Sequence, residues 1–178
     1  MEHGLLTEID EEDAAGGFQM VMDGLRTAGY AHYEISNFSL PGKQSNHNLG
    51  YWQGQSYLGV GPSAHSFDGK SRQFNIANNA LYIKALQESQ VPFTREQLSP
   101  KQRVNEMIML GLRTSEGVNI ELQAGDLHWN LLHQNEQYLK LLLRDRFAII
   151  EKNKLILTDK GKLIADRIAE DLFVGIGE

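Results

Sequence analysis

The sequence predicts an α+β chain in two parts: a mixed strand-and-loop segment over residues 1–77, then a small, mainly helical domain over residues 78–178. Three observations carry that reading. An alternating, tyrosine-rich run, Tyr30–Phe38, sits between Gly29 and Pro41-Gly42, as a strand between turns does. Residues 42–69 then lose all helical period and become rich in glycine, asparagine, serine and aromatics. After Asn78, apolar residues recur at helical spacing in one segment after another.

Taken in order, Asp10–Ala28 is expected as a helix. Asp10, Glu11, Glu12 and Asp13 favour its positive end, Phe18, Val21, Met22, Leu25 and Ala28 repeat at helical spacing, and Gly29 stops it. Tyr30–Phe38 is expected as one strand, Tyr57–Gly61 as a short buried strand and Gln73–Ile76 as another. Helices are expected at Asn78–Gln87, at Pro100–Arg113 with Pro100 in its first turn, briefly at Asn119–Ala124, and at Leu131–Arg144. A hairpin, Phe147–Ile150 with Lys154–Leu157, should turn at Lys152-Asn153, and Thr158 should cap a last helix carrying Ile164, Ile168 and Leu172. From residue 100 the order helix, short helix, helix, hairpin, helix is that of a winged helix. It is read as a packing domain, because Leu131–Arg144 offers DNA only Lys140 and Arg144.

Composition excludes several functions. The 178 residues are 41% hydrophobic and 22% charged, as in ordinary soluble domains. No apolar run reaches the roughly 18 residues of a membrane span, and Met1-Glu2-His3-Gly4 does not open a signal peptide, so a cytoplasmic location is expected. The net charge of −6 is concentrated in residues 1–30, and no basic stripe invites nucleic acid. There is no cysteine, which removes disulfides, thiolate zinc sites, cysteine nucleophiles and cysteine-held iron–sulfur clusters. The six histidines form no HxH or HExxH pair, and His128 and His133 would fall on different sides of a helix, so no preassembled metal site is expected.

Residues 29–66 carry the most information. Seven glycines lie from Gly29 to Gly69, the aromatics Tyr30, Tyr33, Phe38, Tyr51, Trp52 and Tyr57 crowd among them, and Glu34, Asn37, His47, Asn48 and His65 supply directed polar groups. Such a loop suits a flat, partly apolar ligand, and it equally describes an ordinary surface loop. Gly59-x-Gly61 is no dinucleotide fingerprint, since the third glycine and the following helix are missing.

The motifs YEISNF (Tyr33–Phe38), Pro41-Gly42, HNxxYW (His47-Asn48, Tyr51-Trp52) and YLGxGPSAHS (Tyr57–Ser66) closely resemble the downstream half of the radical-SAM, oxygen-independent coproporphyrinogen III oxidase-like family, which includes haem chaperones of the HemW type. The resemblance covers essentially the whole chain. It implies that Tyr33–Asn37 is the last strand of a partial (β/α) barrel, with Glu34 and Asn37 near the cofactor, and that Gly59, Gly61, Ala64 and His65 lie beside a cofactor cavity. It also implies that His47 binds haem iron, with Asn48, Tyr51 and Trp52 around it, although His47 and Asn48 serving only to hold the loop is an equal reading. In the family a CxxxCxxC loop holds a [4Fe–4S] cluster that works on S-adenosylmethionine. With no cysteine, this polypeptide alone is not expected to hold the cluster or to be catalytic. The function implied is haem binding and insertion by a chaperone, with a true coproporphyrinogen III oxidase and a non-catalytic interaction domain as alternatives. Expected partners are haem or a porphyrin, a haem-receiving protein, and a second copy pairing through exposed strand edges.

Overall fold

A computed structural model describes residues 10–175. The opening tetrapeptide and part of the acidic stretch over residues 1–30 lie outside these residues. Helix α1 (Glu11–Thr27) starts where Asp10 accepts a hydrogen bond from the Glu12 amide, and it ends before Gly29, whose φ of +83° no side chain favours.

Tyr30–Phe38 is not one strand but a tight hairpin, β1 (Ala31–Glu34) with β2 (Asn37–Ser39). The cause is Glu34. Its carboxylate accepts from the Ser36 amide at 2.9 Å and from Asn37 Nδ2 at 2.5 Å, which folds the chain back at Ile35-Ser36. An unexpected helix follows, α2 (Asn46–Trp52), capped by the Ser45 hydroxyl. It buries none of its residues, so it has no apolar stripe to betray it. The expected strand Tyr57–Gly61 does not form; Tyr57 alone bridges Phe67. Strands β3 (His65–Phe67), β4 (Ser71–Asn75) and β5 (Phe93–Gln97) make an antiparallel sheet in that order, with α3 (Asn79–Gln87) between β4 and β5. All five residues of β5 are exposed, so no alternation announced it. The pairing of β4 with β5 joins residues on both sides of the 77/78 junction.

Helix α4 (Pro100–Leu112) carries the expected proline and a reciprocal cap between Ser99 and Gln102. Asn119–Ala124 is not helical. After β6 (Val118–Asn119) the chain forms a hairpin, β7 (Glu121–Ala124) with β8 (Leu127–Asn130), because Leu122 and Ala124 are buried while Glu121 and Gln123 are exposed. A hairpin therefore stands where the winged-helix order wanted a short helix. The long helix from Leu131 breaks at Asn135 (φ −125°, ψ 31°) into α5 (Leu131–Gln134) and α6 (Glu136–Arg144). His128 lies in β8 and His133 in α5, so they never share a helix. The hairpin β9 (Ala148–Glu151) with β10 (Lys154–Leu157) turns at Lys152 and Asn153, both at positive φ, as a two-residue turn of this kind requires. Thr158 caps α7 (Asp159–Lys162), and Ile164, outside helical geometry, separates it from α8 (Ala165–Asp171). Strand β10 lies between β6 and β9.

Burial is uneven. The apolar core runs from Val104 to Val174 and includes Ile108, Leu112, Leu131, Leu139, Leu155, Ile168 and Leu172. Residues 10–97 contribute only Met22, Tyr33 and Tyr82 to the buried apolar set, and Met20, Leu81 and Ile83 are exposed. The two parts are stitched by main chain: Ile35 donates to the Arg113 carbonyl and Ser115 to the Tyr33 carbonyl, each at 3.0 Å.

A histidine reinforces this junction. His32 stacks on Phe38 at 4.0 Å, and Nε2 donates to the Ile35 carbonyl at 2.9 Å, leaving Nδ1 to accept from Lys162 at 3.2 Å. Burial, aided by the Lys162 charge, holds its pKa below the usual 6.5, against the opposing pull of the Ile35 carbonyl and of Asp159 and Glu34. A histidine with a depressed folded pKa stabilises fully above its unfolded value and progressively less as the pH falls through the folded one. Thermal midpoints should therefore drop as the pH falls below about 6.5, and the drop should shrink in His32→Gln. An identical pH profile in that variant would show that His32 is not the group responsible.

Candidate functional site

The side chain that organises the region is Glu34, which is fully buried in the β1–β2 hairpin. Besides Ser36 and Asn37, it takes a hydrogen bond from Arg113 Nε at 3.1 Å. Arg113 sits at the C-terminal end of α4, and its Nη1 reaches Asp166 of α8 at 3.0 Å. The guanidinium carbon lies 5.1 Å from the centre of the Trp52 ring, within cation–π range. From the other side of Glu34, Asn37 Oδ1 accepts from Asn48 Nδ2 at 3.3 Å. Glu34, Asn37 and Asn48 thus form one polar chain, and Trp52 joins it through Arg113. A buried carboxylate is tolerable only with such partners.

His47 and Tyr51, one helical turn apart on α2, are exposed, and their rings meet edge to face at 4.9 Å. Tyr51 meets Tyr57 in the same way at 4.7 Å, so the aromatic row continues off the helix into the next loop, where Leu58 and Val60 are 79% and 85% exposed. The expected quartet around His47 therefore divides: Asn48 and Trp52 are engaged inward, His47 and Tyr51 outward.

Gly59, Gly61, Ala64 and His65 form a separate loop. A Cβ on Gly59 would lie 2.1 Å from the His65 carbonyl oxygen, so the close approach there is to the loop's own backbone. The Gly59 amide donates to Ser66 Oγ, Asn75 Nδ2 donates to the Gly61 carbonyl, and the Asn75 amide donates to the Ala64 carbonyl. His65 is exposed, with its ring 5.9 Å from that of Phe74.

A cleft of about 670 Å³ opens between α2 and α4, walled by Leu49, Trp52, Phe67, Met107, Leu110 and Leu122. Of its charged lining, Glu116 pairs with Lys154 and Glu106 with Arg72 outside the cleft, while Arg103 has no ion-pair partner among the described residues. Sequence reasoning missed Arg113 and Arg103. Arg103 lies on α4 and Arg113 caps its C-terminal end, and nothing in spacing distinguishes them from any surface arginine of a helix. The described residues hold no group of three or more His, Cys, Asp or Glu suited to a metal, and no helix long and apolar enough to cross a membrane.

This architecture has known counterparts. Residues 98–164 match the family model described as the HemN C-terminal domain. The fold resembles that of coproporphyrinogen III oxidase (HemN) from Escherichia coli, a radical SAM enzyme, with a TM-score of 0.64 and 18% identity over 93% of this chain and 42% of that one. The heme chaperone HemW of Lactococcus lactis is 30% identical over 94% of this chain and 44% of its own length. The HemW of Mycobacterium tuberculosis is 30% identical over 97% and 42%. The mitochondrial radical S-adenosyl methionine domain-containing protein 1 of Bos taurus is 31% identical over 93% and 37%. The chain belongs to the HemN/HemW family, and it spans less than half the length of the curated relatives it matches.

Proposed function

We propose that the chain forms the haem-presenting and C-terminal part of a cytoplasmic haem chaperone of the HemW type, with His47 as the iron ligand. The observation that carries this is the division of α2. Asn48 is committed to Asn37, whereas the His47 imidazole is exposed, backed by Tyr51, and without a hydrogen-bond partner among the described residues. A neutral imidazole is a good axial ligand for haem iron. Tyr51, Tyr57 and the exposed Leu58 and Val60 offer an apolar flank for a macrocycle edge. Bound haem would supply an iron centre to be carried and released; the chain's own part is to offer the imidazole and hold α2 in place. In this reading Glu34, Asn37, Asn48 and Trp52 are scaffold, and Gly59, Gly61, Ala64 and His65 shape the neighbouring loop. An iron–sulfur cluster does not fit these residues, since none of the 178 is cysteine, and no step through S-adenosylmethionine is assigned to them.

The chaperone reading is favoured over the oxidase because residues 29–69 carry a single lysine or arginine, Lys43, to meet propionates. Arg72 is held by Glu106, and Lys43 and Lys70 are exposed. Haem titration of the wild type and His47→Ala tests the proposal. The Soret band of the bound form should be lost or shifted in the variant; an unchanged band rejects His47 as ligand.

Two structural readings accompany it. The first part, through β5, represents the end of a barrel, and the C-terminal domain begins near Leu98, where the family match also starts. In the isolated chain a second copy would pair through an exposed strand edge such as β5, and would also cover the exposed apolar residues Met20 and Val21 of α1 and Leu81, Ile83 and Leu86 of α3. Sedimentation should show dimers or larger species at micromolar concentration, and a strict monomer would count against this pairing.

A further inference from the structure

We infer that Arg113 is a positioning residue for the haem-presenting helix: it ties the end of α4 to α2 and so sets where His47 points. The inference rests on His47 being the haem ligand. Arg113 touches α2 by two routes. Directly, its guanidinium faces the Trp52 ring at 5.1 Å. Indirectly, Nε binds Glu34, Glu34 binds Asn37, and Asn37 binds Asn48, the residue next to His47. The two routes therefore hold α2 near both of its ends. This matters because α2 buries none of its residues and has only seven, so its own packing and helix propensity hold it weakly. The anchor itself is rigid. Arg113 is only 22% exposed, its main-chain carbonyl takes the Ile35 amide, and Nη1 is fixed by Asp166. A planar fork that binds two carboxylates while lying over an aromatic ring is a geometry that lysine cannot reproduce.

That difference supplies the test, using the whole chain. Arg113→Lys keeps a positive charge beside the buried Glu34 carboxylate, so folding should survive, while the fork and the stacking on Trp52 are lost. Haem affinity should fall at least about tenfold and the Soret maximum should move, as when a group that orients a metal ligand is removed. Far-UV spectrum and thermal midpoint should stay near wild type. Wild-type affinity and Soret position in Arg113→Lys would overturn the inference. Should that variant fail to fold, Asn37→Ala cuts the route at a partly exposed residue and leaves the Arg113–Glu34 pair intact. The same loss of affinity is expected there, and unchanged binding would overturn the inference equally. If His47→Ala itself keeps the wild-type Soret band, the haem reading falls first. Amide hydrogen exchange over residues 46–52 in the haem-free chain then decides: faster exchange in Arg113→Lys supports positioning, and equal exchange ends it.

Discussion

Gly117→Ala is expected to destabilise the C-terminal domain by about 3–5 kcal/mol, the combined scale of a strained backbone conformation and an overpacked core. Gly117 has φ +72°, and a Cβ there would lie 2.4 Å from the Leu155 carbonyl oxygen and 2.6 Å from Ile156 Cγ1. The oxygen belongs to β10, which is paired on both sides, so it cannot move without disturbing β6 or β9. Gly125 provides the comparison. Its φ is +58°, but an added Cβ would meet only Pro100 Cγ at 3.8 Å. Gly125→Ala should therefore cost about 1–2 kcal/mol, the conformational part alone. Urea unfolding of both variants checks this, and equal losses would mean that the collision at Gly117 is relieved by movement of the strand.

Leu155→Ala is expected to cost about 2–5 kcal/mol, since Leu155 is fully buried in the central strand β10. Its wider effect follows from the uneven core. Residues 10–97 bury few apolar side chains and lean on the Tyr33–Ser115 and Ile35–Arg113 hydrogen bonds, so loss of the C-terminal core should take the first part with it. The two tryptophans make this measurable, because Trp52 lies on α2 and Trp129 packs against the core. In Trp52→Phe and Trp129→Phe backgrounds, each remaining indole reports one part. Both unfolding midpoints should move down together on adding Leu155→Ala. A Trp52 midpoint that stayed in place would show that the first part is stable by itself.

Legibility in the sequence followed the strength of local signals. α1, α3 and α4 were readable because a cap and a periodic apolar stripe coincide, as at Ser99, Pro100, Val104 and Ile108. The β9–β10 turn was readable because Lys152-Asn153 falls between two apolar runs. One failure came where a tertiary partner decided the outcome, and others where a local signal was weak, as in α2 and β5, or overlooked. Glu34 looks like the outward member of an alternating strand, yet Arg113, seventy-nine positions away, draws it inward and the strand becomes a hairpin. Glu121–Ala124 does alternate, and reading it as helix overlooked a period of two. At the site, the motif around His47 was visible as uncommon residues in register. Its division into an inward pair and an outward pair was not, because that depends on where α4 ends.

The seam between the two parts joins two main-chain hydrogen bonds, Ile35 to Arg113 and Ser115 to Tyr33, with four side-chain pairs: Glu34–Arg113, His32–Lys162, Arg72–Glu106 and Arg26–Asp159. Every residue except proline supplies the main-chain groups, so those two bonds are indifferent to side chains, whereas the four pairs are not. Halves taken from different relatives could be spliced here into chimaeras, provided the two donors together keep the Glu34–Arg113, His32–Lys162, Arg72–Glu106 and Arg26–Asp159 pairs. Exchange across this line would let the segment proposed to present haem be paired with a foreign C-terminal domain without redesigning either interior.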